Sequence, residues 1–182
     1  MLGLAGEQDG SFLAGKVVAD FGCGPQGSLC WATQARLRIG IDVLTEQYAK
    51  FGIADHDIVY VRSTELEIPL ASNYVDVLYT LNAIDHVSHF GLMCRELLRI
   101  LKPGGLFLGS FNLEEPPTFS EPQTLTEERV KNEFLRHMEV ESYRVAAKGK
   151  KGATYGNFFT NAEPPTSGER YLWVRARKRS QA

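Results

Sequence analysis

Between Val17 and Gly27 an apolar run ends in a carboxylate and opens into three glycines: Val17-Val18-Ala19-Asp20-Phe21-Gly22-Cys23-Gly24-Pro25-Gln26-Gly27. That spacing lets a backbone turn sharply off a strand and present its amides to a ligand. A nucleotide pyrophosphate bound there would sit over a following helix N-terminus, where an ionised Asp20 would repel it. The acid instead suits a ligand that carries positive charge. S-adenosylmethionine has both an ammonium and a sulfonium, which a carboxylate holds directly or through water. The plainer alternative is that Asp20 only accepts hydrogen bonds from the amides of its own turn.

A second acid, Asp42, closes the apolar run Arg38-Ile39-Gly40-Ile41-Asp42, twenty positions after Gly22. An acid at that distance accepts hydrogen bonds from ribose hydroxyls, each charge-assisted bond worth about 1.5–3 kcal/mol. Nicotinamide enzymes share this feature, so Asp42 indicates a nucleoside without naming the cofactor. Its alternative is a solvated acid at a strand end. Farther along, Leu81-Asn82-Ala83-Ile84-Asp85-His86-Val87-Ser88-His89 gathers an amide, a carboxylate and two imidazoles. His86 is the candidate general base because imidazole titrates near neutrality, with Asp85 orienting it or replacing it. The same residues read equally as a polar loop and helix cap. The spacing shows no nucleophilic triad, and no metal site is expected.

Positioning these groups requires an ordered set of elements. Apolar runs predict strands at 17–21, 38–42, 57–61, 75–81 and 106–111, with helical or helix-length segments at 26–36, 45–51 and 88–101. Such alternation makes a parallel sheet covered on both faces, since parallel strands need crossover connections. The segment 88–101 is the clearest helix. Phe90, Met93, Cys94, Leu97, Leu98 and Leu101 share one face, Arg95, Glu96, Arg99 and Lys102 lie on the other, and Ser88 is the expected N-cap. Lys102-Pro103-Gly104-Gly105 ends it, because proline cannot continue the ladder and glycine permits a left-handed turn.

Beyond Asn112 the prolines at 116, 117 and 122 mark a surface connection. Thr124 and Glu127 suggest a capping box for a helix with Val130, Phe134 and Met138 inward. Strand-like runs at 140–147 and 171–177 flank a long loop at 148–170 and are expected to pair antiparallel. That loop either borders a substrate site or is a mobile link. Arg175, Arg177, Lys178 and Arg179 read as solubilising charges or as a small basic patch.

A chain of 182 residues is long enough for one full core, so a single domain over 1–182 is expected, with 1–16 as a short N-terminal extension. A net charge of −2 and 43% apolar residues exclude disorder as the main state and give no electrostatic case for nucleic acid or an anionic membrane. Cys23, Cys30 and Cys94 are unclustered, which fits free thiols in a reducing compartment. No leader pattern opens the chain and no apolar run nears the roughly twenty residues a membrane span needs, so a soluble cytoplasmic protein is expected.

Taken in order, these motifs resemble the class I S-adenosylmethionine-dependent methyltransferases, particularly the methyltransferase type 11 group, over residues 17–112. Asp20-Phe21-Gly22-Cys23-Gly24 is similar to that family's first motif and Asp42 to its ribose-binding acid. Glu65-Leu66-Glu67-Ile68-Pro69-Leu70, followed by Asn73-Tyr74-Val75-Asp76-Val77-Leu78, is similar to its acidic loop and fourth strand. Leu98-Arg99-Ile100-Leu101-Lys102-Pro103-Gly104-Gly105 is similar to its approach to the fifth strand. The resemblance implies an α/β, Rossmann-like doubly wound, mostly parallel seven-stranded sheet with an antiparallel C-terminal hairpin. It implies S-adenosylmethionine as cofactor and in-line methyl transfer.

Cofactor contacts are then expected from Asp20, Gly22, Cys23, Gly24, Asp42, Val43 and Asn82. Adenine contacts are expected from Thr64 and Glu65, or from Ser63 if the alignment slips by one. An aspartate common at that place in the family is missing here. Mild acidity and the lack of a nucleic-acid motif point to a small-molecule or sugar-type acceptor. Family members often place helices ahead of the first strand to cover the substrate, whereas about sixteen residues precede Val17. The expectation is an open site, one completed by a protein partner or a second copy, or one built for a bulky acceptor. Two rivals stand beside this reading: a non-catalytic cofactor-binding module and a nicotinamide-dependent oxidoreductase.

Overall fold

A computed structural model describes residues 1–148, 156–158 and 168–180, so most of the expected loop at 148–170 lies outside the described residues. Strands β1 (Val17–Phe21), β2 (Leu37–Asp42), β3 (Val59–Arg62), β4 (Val75–Leu81), β5 (Leu101–Leu113), β6 (Met138–Ala147) and β7 (Arg170–Lys178) form one sheet. Their order is β3-β2-β1-β4-β5-β7-β6. Neighbours from β3 to β5 pair in parallel, and β7 runs antiparallel between β5 and β6. The doubly wound sheet and its antiparallel ending are both present. Because β1 lies between β2 and β4, the winding reverses there, which opens a crevice at the carboxyl ends of β1 and β4.

Alternate side chains of each strand feed two cores. Val17 and Ala19 face the layer made by α3 (Phe90–Ile100) and α4 (Glu127–Glu133), where Phe107 meets Phe134 edge-on at 4.7 Å. Val18 and Tyr79 face the other layer, built from α1 (Leu2–Ala5), a 3-10 turn at Gly10–Leu13 and the segment around Leu29 and Ala32. Among the described residues no helix is long and apolar enough to cross a membrane.

Several local expectations are corrected. The segment 26–36 is a chain of turns, not a helix. Gly22, Gly24 and Gly27 all take left-handed φ values of 76°, 60° and 66°. Beyond them the bonds span three residues, from the Cys30 amide to the Gly27 carbonyl and from Ala32 to Leu29. A left-handed residue in the first would-be turn removes the costly nucleus a helix needs. The helix α3 starts at Phe90 with His89 at its N-cap, and the Ser88 amide instead donates to the Glu65 carboxylate at 2.9 Å. The cap of α4 is Thr126, whose hydroxyl accepts from the Arg129 amide at 3.1 Å, and Met138 opens β6. β5 begins at Leu101 and bulges before Leu106, which absorbs the Pro-Gly-Gly turn into the strand itself.

Candidate functional site

A cleft of about 310 Å³ opens at the carboxyl ends of the parallel strands. Phe21, Gly22 and Gly24 reach it from the turn after β1, and Asp42, Val43, Leu44 and Tyr48 from the region after β2. Ser63 and Glu65 follow β3, while Asn82, Ala83, His86 and Val87 follow β4. The volume lies at the small end of ligand sites, which run from roughly 300 to 1,000 Å³. A larger hollow of about 480 Å³, lined partly by Arg95, Arg99, Arg136 and Lys178, lies against α3. None of its residues comes from the carboxyl end of a parallel strand, so the smaller cleft is where the chemistry-bearing groups meet.

The glycine turn is held from two sides. A Cβ on Gly22 would stand 2.1 Å from the Ala83 Cβ, so only glycine lets the two strand ends approach. The Gly24 amide donates to Asp42 Oδ2 at 3.2 Å, and the Leu44 amide donates to Asp42 Oδ1 at 3.0 Å. Each carboxylate oxygen keeps a second lone pair for a hydroxyl. Tyr48, in the short helix α2 (Thr45–Tyr48), is buried behind Asp42, and burial together with that acid's charge pushes its hydroxyl pKa up. Val43 and Leu44 leave apolar surface exposed in the wall.

On the β3 side the one-residue ambiguity has a geometric answer. Ser63 is buried in the cleft wall and its hydroxyl has no partner. Thr64 lies outside the lining, and its hydroxyl accepts from the Leu66 and Glu67 amides at 3.2 and 3.0 Å. Glu65 reaches the cleft while bracing the Ser88 amide.

Asp20 does not line the cleft. It is only 4% exposed, accepts a hydrogen bond from the Ser28 hydroxyl at Oδ2, and has no partner at Oδ1. Burial pushes its pKa up to about 7, with the Ser28 bond opposing and the charge of Asp42 assisting. Near neutral pH the group is therefore partly protonated, and a cation bound nearby would favour its ionised form. Cys23 is also outside the lining, and its thiol pKa is raised by burial beside Asp20 and Asp42.

After β4 the chain makes a left-handed step at Asn82, with φ 54°, and the Asn82 amide donates to the Ser110 hydroxyl at 3.1 Å. A 3-10 turn at Ile84–His86 follows. His86 Nδ1 lies 3.0 Å from the Ser120 carbonyl. A carbonyl only accepts, so Nδ1 carries a proton, and in the neutral ring Nε2 keeps its lone pair. Glu121 Oε1 stands 3.6 Å from that Nε2. Asp85 is 4% exposed, and its Oδ2 accepts from Asn112 Nδ2 at 2.9 Å. Asp85 Oδ1 and Asn112 Oδ1 are buried without partners, a cost of about 1–3 kcal/mol each if nothing is bound.

Burial pushes the pKa of Asp85 up, the charge of His86 opposes, and Glu121 and Glu115 add to the rise. The ring of His86 is thus held by the Ser120 carbonyl, whereas Asp85 is held by Asn112. Tyr48, Asn112, Ser120 and Glu121 were not singled out in the sequence. Asn112 carried a usable signal, a polar residue near the carboxyl end of an apolar strand, as Asn82 does.

The residues fit a nucleoside with a positively charged tail. An acid is hydrogen-bonded to the glycine turn in the cleft wall, a buried Ser63 hydroxyl waits without a partner, and the unpartnered Asp20 Oδ1 lies outside the lining. The turns at 22–36 offer no helix N-terminus for a pyrophosphate, which weakens the dinucleotide reading.

A methyltransferase-domain family matches residues 19–109, half of the chain. An uncharacterized methyltransferase of Mycobacteroides abscessus is 29% identical over 113 residues, covering 59% of this chain and 44% of that protein. The chain thus spans less than half the length of that curated relative. The structure of an S-adenosylmethionine-dependent methyltransferase from Mesorhizobium loti superposes with a TM-score of 0.68 at 20% identity, covering 91% of this chain and 92% of that one. A Haloferax volcanii chain solved in complex with the Trm112 methyltransferase activator gives 0.67 at 16% identity, covering 92% and 84%. The chain belongs to the methyltransferase-domain family. S-adenosylmethionine is the cofactor of that family.

Proposed function

We propose that the chain binds S-adenosylmethionine in this cleft and directs methyl transfer to a small-molecule or sugar-type acceptor beside His86. The observation that carries the reading is Asp42, which braces the Gly24 amide beside the unpartnered Ser63 hydroxyl, the Ser63 amide itself donating to the Asp42 carbonyl at 3.2 Å. In this reading Asp42 accepts the ribose hydroxyls, Val43 and Leu44 cover an adenine face, and Ser63 with Glu65 meets the adenine edge. Gly22 and Gly24 admit the cofactor close to the backbone. Asn82 contacts the methionine end, and Asp20 balances its ammonium from below, directly or through water.

The cofactor supplies a methyl group on a sulfonium that is already a good leaving group. The protein's main task is alignment, which alone is worth roughly 7–11 kcal/mol of barrier. His86 Nε2, with its lone pair free, takes the proton of a hydroxyl or ammonium acceptor. Calorimetric titration with S-adenosylmethionine and, separately, NADH tests the cofactor. Binding of the first alone is expected, and binding of NADH alone overturns the reading. For the acceptor side, His86→Ala should lower single-turnover methylation about a hundredfold with cofactor affinity unchanged. An unchanged rate removes His86 from the reaction. The Haloferax complex supports a protein partner as a further component of such a site.

A further inference from the structure

Asp85, His86 and Glu121 each offer a ligand atom, and these atoms lie within 4.8 Å of one another. We propose that they seat a divalent metal ion of the zinc or cobalt(II) class at the acceptor side of the cleft. The role assigned to the ion rests on the proposed transfer reaction, but its binding does not.

The separation of His86 Nε2 from Glu121 Oε1 is the first argument. At 3.6 Å it exceeds a hydrogen bond, which ends near about 3.2 Å. With Nδ1 committed to the Ser120 carbonyl, the neutral ring turns the Nε2 lone pair toward the Glu121 carboxylate across that gap. Two donors held about 2.1 Å from one ion at a tetrahedral angle stand about 3.4 Å apart, close to what is seen. The remaining contacts are those that hold metal ligands in place. A ligating imidazole donates its other N–H to a backbone carbonyl, and a ligating carboxylate is hydrogen-bonded in turn, here by Asn112.

Asp85 supplies an independent observation. It is more than nine-tenths buried, Asn112 donates to its Oδ2, and no side chain donates to its Oδ1. Asn112 Oδ1 is buried and unpartnered beside it. This pocket of acceptors without donors is what a cation would resolve. One imidazole and two carboxylates suit a borderline ion, since magnesium and calcium prefer all-oxygen shells and thiolate-seeking ions find no cysteine in the set.

Three protein ligands leave a fourth position; His86 lines the cleft while Asp85 and Glu121 stand outside its lining, and in this proposal the fourth position is turned to the cleft side, where the acceptor enters. An acceptor hydroxyl placed there would lose its proton to solvent because the ion lowers its pKa. In the loaded state Nε2 is a ligand, and the ion takes over the activating role that the free imidazole has without it.

The full chain, stripped with a chelator and free of S-adenosylmethionine, would be titrated with cobalt(II), read by visible absorption, and with zinc, read by calorimetry. One saturable equivalent is expected. Glu121→Gln, on an outer loop, should weaken it about ten- to hundredfold, and His86→Ala should do at least as much. Absence of saturable binding overturns the proposal and leaves His86 and Glu121 as an ion pair of the protonated ring. Binding that both variants leave unchanged overturns it equally, since the ion then sits elsewhere. A chain that binds cobalt but not S-adenosylmethionine keeps the metal seat and loses the transfer reaction. The opposite result does the reverse.

Discussion

The two halves of the cleft are made of different material. After β1 and β2 the ligand surface is a glycine backbone clasped by one acid beside Val43 and Leu44, and its amides are already paired, those of Gly24 and Leu44 with Asp42. After β4 it is side chain, and behind His86, which lines the cleft, Asp85, Asn112 and Glu121 crowd together outside the lining with more acceptors than donors. A surface built on fixed backbone recognises one ligand shape, and here a single side chain, Asp42, holds it. A surface of side chains on loops can be refitted without disturbing the frame beneath it. The first half thus suits a ligand common to many proteins of this fold, and the second suits whatever distinguishes this one.

Gly22 is where the halves touch, and it offers the strongest way to break the distinction. Gly22→Ala places a methyl 2.1 Å from Ala83 on a backbone at φ 76°, so both overpacking and left-handed strain apply. The expected cost is about 3–5 kcal/mol, read as a lower denaturant midpoint. Gly24→Ala separates the two causes, because its φ is 60° but its Cβ would meet nothing within 4 Å. A cost of about 1–2 kcal/mol is expected there. Equal losses at both sites would mean that strain alone shapes the turn and the halves are not coupled through Ala83.

The charge beneath the first half gives the next largest effect. The pKa of Asp20 is raised by burial from 3.8 to about 7, so the folded chain holds a proton there that the unfolded chain has lost. Stability must therefore fall as pH rises from about 4 to about 7, by at most roughly 4 kcal/mol from this group. Thermal unfolding across that range should show the slope, and Asp20→Asn should remove it. Bound S-adenosylmethionine should flatten it as well, since a cation favours the ionised carboxylate. A slope that survives in the Asn variant assigns the titration to another group.

The same contrast explains what could be read from the chain. Glycine spacing and strand-end acids are local signals, because a left-handed turn favours glycine wherever it occurs, and Gly22, Gly24 and Asp42 line the crevice. The helix expected at 26–36 did not form because Gly27 is left-handed in its first turn, and an apolar spacing alone does not report φ. The grouping of Asp85 with Asn112 and Glu121 depends on β5 lying beside β4 and on the connection after β5 folding back over His86. Spacing carries no trace of that. Cys23 and Asp20 sit one layer behind the surface, a depth that a motif cannot encode.

Asp42→Ala tests whether the paired half is also the binding half. The substitution deletes the acceptor of two amides and, in the proposed reading, of the ribose hydroxyls. Cofactor affinity should fall about ten- to hundredfold by calorimetry, following the 1.5–3 kcal/mol of a charge-assisted bond. A variant that unfolds more readily yet binds normally would make Asp42 a brace for the turn and nothing more.

The smallest effect discriminates most finely, since it concerns neighbours with the same chemistry. In Ser63→Ala a buried hydroxyl without a partner is removed, so the free protein should gain a few tenths to about 1 kcal/mol in stability while cofactor affinity drops about fivefold. Thr64→Ala should do the opposite, because that hydroxyl holds the Leu66 and Glu67 amides and faces its own turn. It should cost about 0.5–2 kcal/mol of stability and leave affinity unchanged. Successive residues leaving a strand point to opposite sides, so one of the two must face the ligand and the other the chain. If Thr64 proves to govern affinity, the β3 edge rearranges on binding and the paired half of the cleft is less preformed than its hydrogen bonds imply.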